Sequence, residues 1–289
     1  MGYTPRAKQN CSITGLYSLS MLSLIFGAFG LIIGSFLNVL IGRWGTQSLS
    51  GRSMCPSCGH TIRWYDLVPI LSWFLLHGRC RDCKSVISLQ YPIVEVLTAI
   101  LFLAVAAAPI SLSFKILALP IVALLLAIAI YDFYTTIIPD LWAVVCGILS
   151  LGAALYGAAQ TESSLILVIL AGPAIALPLF TMWIVSSGKW MGLGDAKLAL
   201  SLGWLLGISG GMTALLLAFV LGAILSVPLL FLSSPMAQRI AHILHFETST
   251  WMYTMKSEVP FGPFLVASCF FVWFSQMYGF DMGIWNIAL

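Results

Sequence analysis

The amino-acid sequence predicts an all-α, polytopic membrane protein with about eight transmembrane helices and a polar loop domain on the cytoplasmic side. Of its 289 residues, 60% are apolar and only 8% are charged, and the mean hydropathy is +1.02. This composition is typical of proteins that cross a membrane several times and excludes an ordinary soluble domain. The apolar residues also form long runs on both sides of a single long polar stretch, residues 43–91.

Eight apolar runs are the candidate transmembrane helices. Most approach the roughly 20 residues that a helix needs to cross the hydrocarbon core. The sixth run is shorter, and if it were re-entrant, every later segment would change sides of the membrane. The first run contains a stripe of small residues, Gly27, Gly30 and Gly34, which suits close packing against another helix. The runs cover about residues 16–41, 92–110, 115–131, 141–159, 163–185, 197–208, 210–232 and 262–282.

The basic residues indicate which segments face the cytoplasm. Six of the thirteen Lys and Arg residues lie in 43–91, and threading the eight runs alternately places ten of them on that side. Because cytoplasmic loops carry the excess of Lys and Arg, this stretch is predicted to be cytoplasmic and both termini to lie outside. Few aromatic residues lie among these charges, so no nucleic-acid partner is expected. The other predicted cytoplasmic segments are 132–140, 186–197 and 233–261.

The polar stretch contains two Cys-x-x-Cys pairs with 21 residues between them. Each pair can aim two sulfurs at one point, and two pairs complete a tetrahedral set of thiolates, as in structural zinc sites. A reduced cytoplasm disfavours disulfides. Four cysteines leave no open coordination position, so the predicted zinc is structural and the loop is a zinc-binding domain. A redox dithiol and unliganded cysteines are the alternatives. The predicted ligands are Cys55, Cys58, Cys80 and Cys83.

Two aspartates at membrane depth, Asp132 and Asp195, are the candidate acid–base pair. Asp132 follows the apolar run 115–131, and Asp195 directly follows Gly192-Leu-Gly194 between two apolar runs. A carboxylate deep in a membrane costs roughly 2.5–3.5 kcal/mol, so it is rarely there without a use. If the two carboxyls approach, they cannot both ionise easily. Such a pair can activate water with one carboxyl and protonate a carbonyl oxygen with the other. A helix N-cap is the alternative for Asp195.

Four further charged residues have more ordinary interpretations. Asp140 opens the next apolar run and is interpreted as a helix N-cap. Glu95 stands one turn into the second span, where pairing with an arginine is expected. Lys197 is interpreted either as a residue that orients Asp195 or as an anchor whose charge reaches the membrane interface. Glu258 is interpreted as a solvated loop charge.

The motif around Asp195, G-x-G-D-x-K, combined with an upstream Asp132, is highly specific in this order and spacing. With these residues the chain resembles the bacterial type IV prepilin peptidases, the bifunctional leader peptidase/N-methyltransferases of type IV pilus and type II secretion systems. The resemblance covers nearly the whole chain after residue 30. Its motifs also include the two cysteine pairs, G-S-F-L-N-V at 34–39, P-I-L-S-W at 69–73, I-S-L-Q-Y-P-I-V-E at 87–95, D-F-Y-T-T-I-I-P-D at 132–140, M-G-L-G-D-A-K-L at 191–198 and P-F-G-P-F-L at 260–265.

The resemblance implies that Asp132 and Asp195 are the catalytic residues of an aspartyl protease in the bacterial inner membrane, with its active site facing the cytoplasm. The implied substrates are prepilins or pseudopilins, cleaved after a glycine. The new N-terminal residue, usually phenylalanine, would then be methylated with S-adenosylmethionine as the methyl donor. Components of pilus or type II secretion assembly are the implied partners. The implied supporting residues are Gly192 and Gly194, which would admit the substrate backbone, together with Lys197 and Glu258.

The implied organisation has three parts: an N-terminal segment with the first helix (1–42), the cysteine loop linked to methylation (43–91) and the membrane-embedded peptidase (92–289). The sequence departs from the family pattern at Leu67, and also at Tyr134 and Trp190, where acidic residues are common. None of these departures removes a catalytic carboxylate. Two alternatives remain: a peptidase without methyltransferase activity, and a non-enzymatic transporter or scaffold in which the two aspartates serve an ion pathway.

Overall fold

The computed structural model describes residues 21–46, 48, 50–161, 164–232 and 260–280. Over these residues the chain is built from α-helices, and the cysteine loop adds one short 3-10 helix, Trp64–Leu67, and two isolated antiparallel bridges. This confirms the predicted all-α fold class for the described part of the chain. The helices are α1 (Met21–Arg43), α2 (Leu71–Leu75), α3 (Gln90–Ala107), α4 (Leu112–Thr135), α5 (Asp140–Thr161), α6 (Leu165–Ser186), α7 (Leu193–Leu232) and α8 (Gly262–Met277).

Within the described ranges, six helices are long and apolar enough to cross a membrane, namely α1, α3, α4, α5, α6 and α7. The apolar helix α8 is shorter, with 16 residues. By length and composition these helices confirm a polytopic membrane protein. The count of eight spans, and the sides on which the loops lie, stay predictions.

Helix α7 is interrupted at Gly207, whose backbone is non-helical with φ of 73° and ψ of 179°. A methyl group on Gly211 would lie only 3.3 Å from the Cα atom of Gly203. Eight residues along a straight helix are about 12 Å apart, so the chain must turn back on itself at Gly207. The sequence places the boundary between the apolar runs 197–208 and 210–232 at residue 209, and the structure turns two residues earlier, at Gly207, between the segments 193–206 and 208–232.

The predicted stripe of small residues lies at the contact between α1 and α3. A methyl group on Gly30 would lie 2.7 Å from the Cα atom of Ala99, and one on Gly34 would lie 2.7 Å from the Cα atom of Glu95. The two backbones therefore touch, which is the packing that small residues permit between membrane helices.

Helix α4 is central, since it packs against α1, α3, α5 and α8 and its Ile121 and Leu125 are fully buried. It ends where Thr136 adopts a left-handed conformation, with φ of 54°, and donates its N–H to the carbonyl oxygen of Asp132 at 2.7 Å. Asp132 therefore lies in the last turn of α4, just before the bend that leads into α5.

Three aromatic rings connect the end of α1 to this bend. The ring of Trp44 lies 4.8 Å from that of Trp142 in α5, which lies 5.3 Å from that of Tyr131 in α4. Trp44 directly follows α1 and precedes the cysteine loop. The loop therefore leaves the helices at the same end of the bundle as Asp132.

Candidate active site

Asp132 is held between two helices. Its side chain is buried, with 4% of the residue exposed, although α4 is otherwise apolar around it. The Oδ2 atom accepts a hydrogen bond from the backbone N–H of Gly262, the first residue of α8, at 3.0 Å. The first turn of a helix has free N–H groups, so α8 offers this donor without losing a bond of its own. Asp132 is thus oriented by a backbone donor from another helix.

Asp195 lies in the first turn of α7, where free N–H groups and the helix dipole favour a carboxylate. It is half-buried and accepts a hydrogen bond from the backbone N–H of Gly192, just before the helix. Its carboxyl also lies within electrostatic range of Asp132. The structure therefore brings together the two aspartates that the sequence singled out, which are 63 positions apart.

Two carboxyls in this arrangement can perform acid–base chemistry. When one of the two is ionised and the other protonated, the carboxylate can take a proton from water and the carboxylic acid can donate a proton to a carbonyl oxygen. Both groups stand at helix ends rather than in the middle of the bundle, Asp132 in the last turn of α4 and Asp195 in the first turn of α7.

The cysteine loop folds as two similar turns. In the first, the N–H of Cys55 donates to the carbonyl of His60 at 2.9 Å, and in the second the N–H of Cys80 donates to that of Ser85 at 2.8 Å. An antiparallel bridge closes each turn, Met54 with Thr61 and Arg79 with Val86.

These turns bring all four cysteine sulfurs within 4.8 Å of one another, and the described residues around them offer no fifth ligand to the group. The Sγ atoms of Cys55 and Cys83 lie 3.8 Å apart. Tetrahedral zinc with Zn–S bonds of about 2.3 Å requires sulfur atoms about 3.8 Å apart, so the set fits the ion. The cluster of Cys55, Cys58, Cys80 and Cys83 could therefore hold zinc, as the sequence predicts.

Hydrogen bonds in the loop already favour thiolates at part of the cluster. The backbone N–H groups of Cys58 and Ser57 and the hydroxyl of Ser85 lower the pKa of Cys55 to about 6. Ser85 also lowers the pKa of Cys83. A backbone N–H favours the thiolate of Cys58, but burial and the neighbouring thiols outweigh it and raise the pKa of Cys58 to about 11. The four cysteines are thus suited to bind a cation, whose positive charge would offset the negative charges of neighbouring thiolates.

Comparison with known proteins assigns the chain to a family. The prepilin leader peptidase/N-methyltransferase of Aeromonas hydrophila is 31% identical over 304 residues, covering 92% of this chain and 93% of that protein. The protein with the same description from Vibrio cholerae is 31% identical over 279 residues, covering 87% of this chain and 96% of that protein. The model of the type IV leader peptidase family matches residues 118–227. The chain belongs to the type IV leader peptidase family.

Two separate family matches cover the cysteine loop and the candidate acid–base pair of Asp132 and Asp195, called the dyad below. The model of the bacterial peptidase A24 N-terminal domain matches residues 28–109, which include the four cysteines, while Asp132 and Asp195 lie in the family match at 118–227. The prepilin leader peptidase/N-methyltransferase of Myxococcus xanthus is 36% identical over 212 residues, covering 70% of this chain and 61% of that protein. No solved structure matches the chain.

In this type IV leader peptidase family member, Lys197 is not paired with Asp195. Its Nζ atom donates to the Oδ1 atom of Asp140 at 2.6 Å, in an ion pair exposed to solvent. Asp140 is the first residue of α5, so its carboxyl links the start of α5 to the first turns of α7. Lys197 thus aligns two helices beside the dyad.

The glycines before Asp195 differ in their surroundings. Gly194 packs against the α4–α5 connection, where an added methyl group would lie 2.9 Å from the Cβ atom of Ile138. Gly192 is exposed, and its backbone N–H donates a hydrogen bond to the Asp195 carboxyl. The space beside the Gly194 backbone is therefore filled by the protein's own chain at Ile138. Of the two glycines, Gly192 is the one exposed to solvent.

Sequence reasoning did not identify Gly262. A methyl group there would lie 2.6 Å from the Oδ2 atom of Asp132, so any side chain would displace the carboxyl or the helix. Gly262 lies in the P-F-G-P-F-L motif at 260–265. The residue type alone does not indicate that its backbone N–H binds a carboxyl group. Glu258, just before this motif, lies outside the described residues.

Among the described residues, the partners of Glu95 are two neutral donors and not the arginine that the sequence led us to expect. The buried Glu95 carboxylate accepts the backbone N–H of Ile70 at 2.6 Å and the hydroxyl of Ser35. Within the described part of the chain the expected ion pair at Glu95 is not formed, because the cysteine loop returns to α3 and supplies a neutral backbone donor instead.

Proposed function

We propose that this chain cleaves the leader peptide of type IV prepilins or pseudopilins after a glycine and then N-methylates the new N-terminal residue, usually phenylalanine. The observation that carries the proposal is the approach of Asp132 and Asp195 at the ends of α4 and α7. The printed description of the relatives, prepilin leader peptidase/N-methyltransferase, supports both activities. Family membership favours an enzyme over the transporter or scaffold alternative.

In the proposed cleavage step, the ionised carboxyl of the pair takes a proton from a water molecule whose oxygen attacks the scissile carbonyl carbon. The protonated carboxyl donates its proton to the carbonyl oxygen, giving a neutral tetrahedral intermediate. When the intermediate collapses, the C–N bond breaks and a carboxyl returns a proton to the leaving amine. The free amine produced in this way is the group that methylation would modify.

The proposed site of cleavage is the cytoplasmic face of the bacterial inner membrane. The aromatic contacts of Trp44 with the α4–α5 hairpin support an active site at the same end of the bundle as the cysteine loop. That loop carries six of the thirteen Lys and Arg residues, as cytoplasmic segments do. A prepilin with its leader in the cytoplasm would meet the dyad there.

For methylation, we propose structural zinc at the four cysteines and S-adenosylmethionine as the methyl donor. The zinc would fix the two turns of the loop, and the donor would supply the methyl group to the new N-terminal amine. The sulfur geometry supports the zinc. Support for the methyl donor comes from the description of the relatives as N-methyltransferases. Glu258 and Lys197 stay proposed supporting residues, and pilus or secretion components stay proposed partners.

The test is a cleavage assay on detergent-purified protein with a prepilin substrate and S-adenosylmethionine, read out by mass spectrometry of the product. Wild type is expected to cleave after a glycine and add one methyl group. Asp132→Asn and Asp195→Asn should each abolish cleavage, while Asp140→Asn, a nearby carboxyl outside the dyad, should retain it. Cleavage by Asp132→Asn would refute the dyad. Cleavage without methylation by zinc-loaded wild type would support a peptidase alone.

A further inference from the structure

The cysteine loop returns to the level of the membrane helices at Ile70. The backbone N–H of Ile70 donates to the Oε2 atom of Glu95, which also accepts the hydroxyl of Ser35. At 1.5 Å per residue, Glu95 lies about 8 Å inside the start of α3, and Ser35 lies about 12 Å inside the end of α1. Both helices are candidate membrane spans. Ile70 therefore lies alongside the helical bundle and not above it.

The short helix α2 starts at this depth and presents apolar side chains outward. Among its five residues, Leu71, Phe74 and Leu75 are 56%, 64% and 69% exposed. The fourth apolar residue, Trp73, points the other way, since its Nε1–H donates to the carbonyl of Ile87 within the loop. One face of α2 thus holds the loop together, and the opposite face is apolar and uncovered by any described residue.

Neighbouring residues extend this uncovered surface, and the loop that carries it is basic. Trp64 at the start of the 3-10 helix is 77% exposed, and Leu67 at its end and Val68 just after it are also exposed. The stretch 43–91 contains six Lys and Arg residues and two Asp residues, so its side chains carry a net charge of +4 before the cysteines are counted. An exposed apolar face with a nearby tryptophan, in a segment rich in basic residues, is typical of segments that lie in a membrane interface.

We propose that the exposed face of α2, formed by Leu71, Phe74 and Leu75, inserts among the lipids of the leaflet at which α1 ends and α3 begins. The basic residues of the loop then face anionic headgroups, and Glu95 is the positioning residue that holds α2 at the correct depth. The depth of Ile70 favours lipid over a water-soluble partner, because a protein arriving from solution could not reach this level without displacing lipid. The proposal goes beyond the enzymatic function and does not depend on it.

Photo-crosslinking tests the proposal. Phe74 is replaced by p-benzoyl-phenylalanine, and the zinc-loaded protein is reconstituted into nanodiscs containing phosphatidylethanolamine and phosphatidylglycerol, with prepilin added. After irradiation, intact-mass measurement is expected to show an adduct with the mass of a phospholipid. The matched control carries the same residue in place of Thr61, which is exposed on the first turn of the cysteine loop, and should yield several-fold less lipid adduct.

A second position keeps the test informative if the first variant does not fold. The same replacement at Leu75 should also give a lipid adduct, since both side chains lie on the exposed face. Adducts only with prepilin, with a second copy or within the chain itself would overturn the proposal, as would lipid adducts no more abundant than at Thr61. Loss of peptidase activity with the lipid adducts retained would count against the proposed enzyme and leave this inference standing.

Discussion

The backbone N–H of Gly262 donates to the Oδ2 atom of Asp132 at 3.0 Å, although the two residues are 130 positions apart. The bond joins the start of α8 to the last turn of α4. A proposed catalytic carboxyl is therefore positioned by a glycine that carries no side-chain chemistry, and the geometry of the dyad depends on how α8 packs.

Replacing Gly262 with alanine should reduce cleavage by about 10- to 100-fold. A methyl group at this position would lie 2.6 Å from Oδ2, so the carboxyl or the helix must shift and the hydrogen bond is broken or distorted. A hydrogen bond to a charged group contributes roughly 1.5–3 kcal/mol, which corresponds to that range. The measurement is prepilin cleavage at saturating and limiting substrate. Gly222→Ala is the control, since its methyl group would make only an ordinary contact at 3.7 Å with Phe264. Equal activity of the two variants would contradict the prediction.

Lys197→Met and Asp140→Asn should each change cleavage by less than about fivefold. The two side chains form an exposed ion pair, and such pairs contribute about 0.2–1 kcal/mol. The single variants and the double variant form a cycle that measures their coupling through thermal unfolding and prepilin cleavage. A loss of tenfold or more in Lys197→Met, with none in Asp140→Asn, would instead favour the hypothesis that the lysine orients Asp195.

Zinc affinity should rise with pH in neutral and mildly alkaline solution. In the metal-free loop the pKa of Cys55 is lowered to about 6 and that of Cys58 is raised to about 11, so between these values the first is a thiolate and the second keeps its proton. Zinc binds thiolates, so binding in this window must release the Cys58 proton, and affinity increases about tenfold per pH unit for each proton released.

Proton release on zinc addition, followed with a pH indicator in weak buffer, measures this effect directly. Cys58→Ser should release fewer protons and bind zinc more weakly. Ser57→Ala changes an exposed neighbour that supplies only its backbone N–H to Cys55, and it should behave as wild type. An affinity that stays constant across the window would show that Cys58 is already a thiolate or is not a ligand.

Gly30→Ala should destabilise the protein by about 1–3 kcal/mol, the usual result of overpacking a close contact. The added methyl group would lie 2.7 Å from the backbone of Ala99, and backbone atoms cannot move aside as a flexible side chain can. Thermal unfolding in detergent measures the change. Gly42→Ala in the same helix has nothing within 4 Å of the added methyl and should be neutral or slightly stabilising. Similar unfolding of both variants would mean that α1 and α3 separate more easily than the structure indicates.

Residue chemistry in the sequence was sufficient to predict the fold class and to single out Asp132, Asp195 and the four clustered cysteines. Asp132 and Asp195 stand out because ionisable groups are expensive among apolar runs. The four cysteines stand out because their spacing matches metal coordination. The predicted boundary between the apolar runs 197–208 and 210–232 lies two residues from Gly207, where the structure has its reversal. These features are local, and each could be read from a short stretch of chain.

The partners of these groups were decided only by the tertiary structure. Lys197 pairs with Asp140 across 57 positions, Ile70 reaches Glu95 across 25, and Gly262 reaches Asp132 across 130. Two of these contacts use backbone N–H groups, which every residue except proline carries. A sequence can therefore show where a buried carboxylate stands, but the donor that orients it depends on how the helices pack.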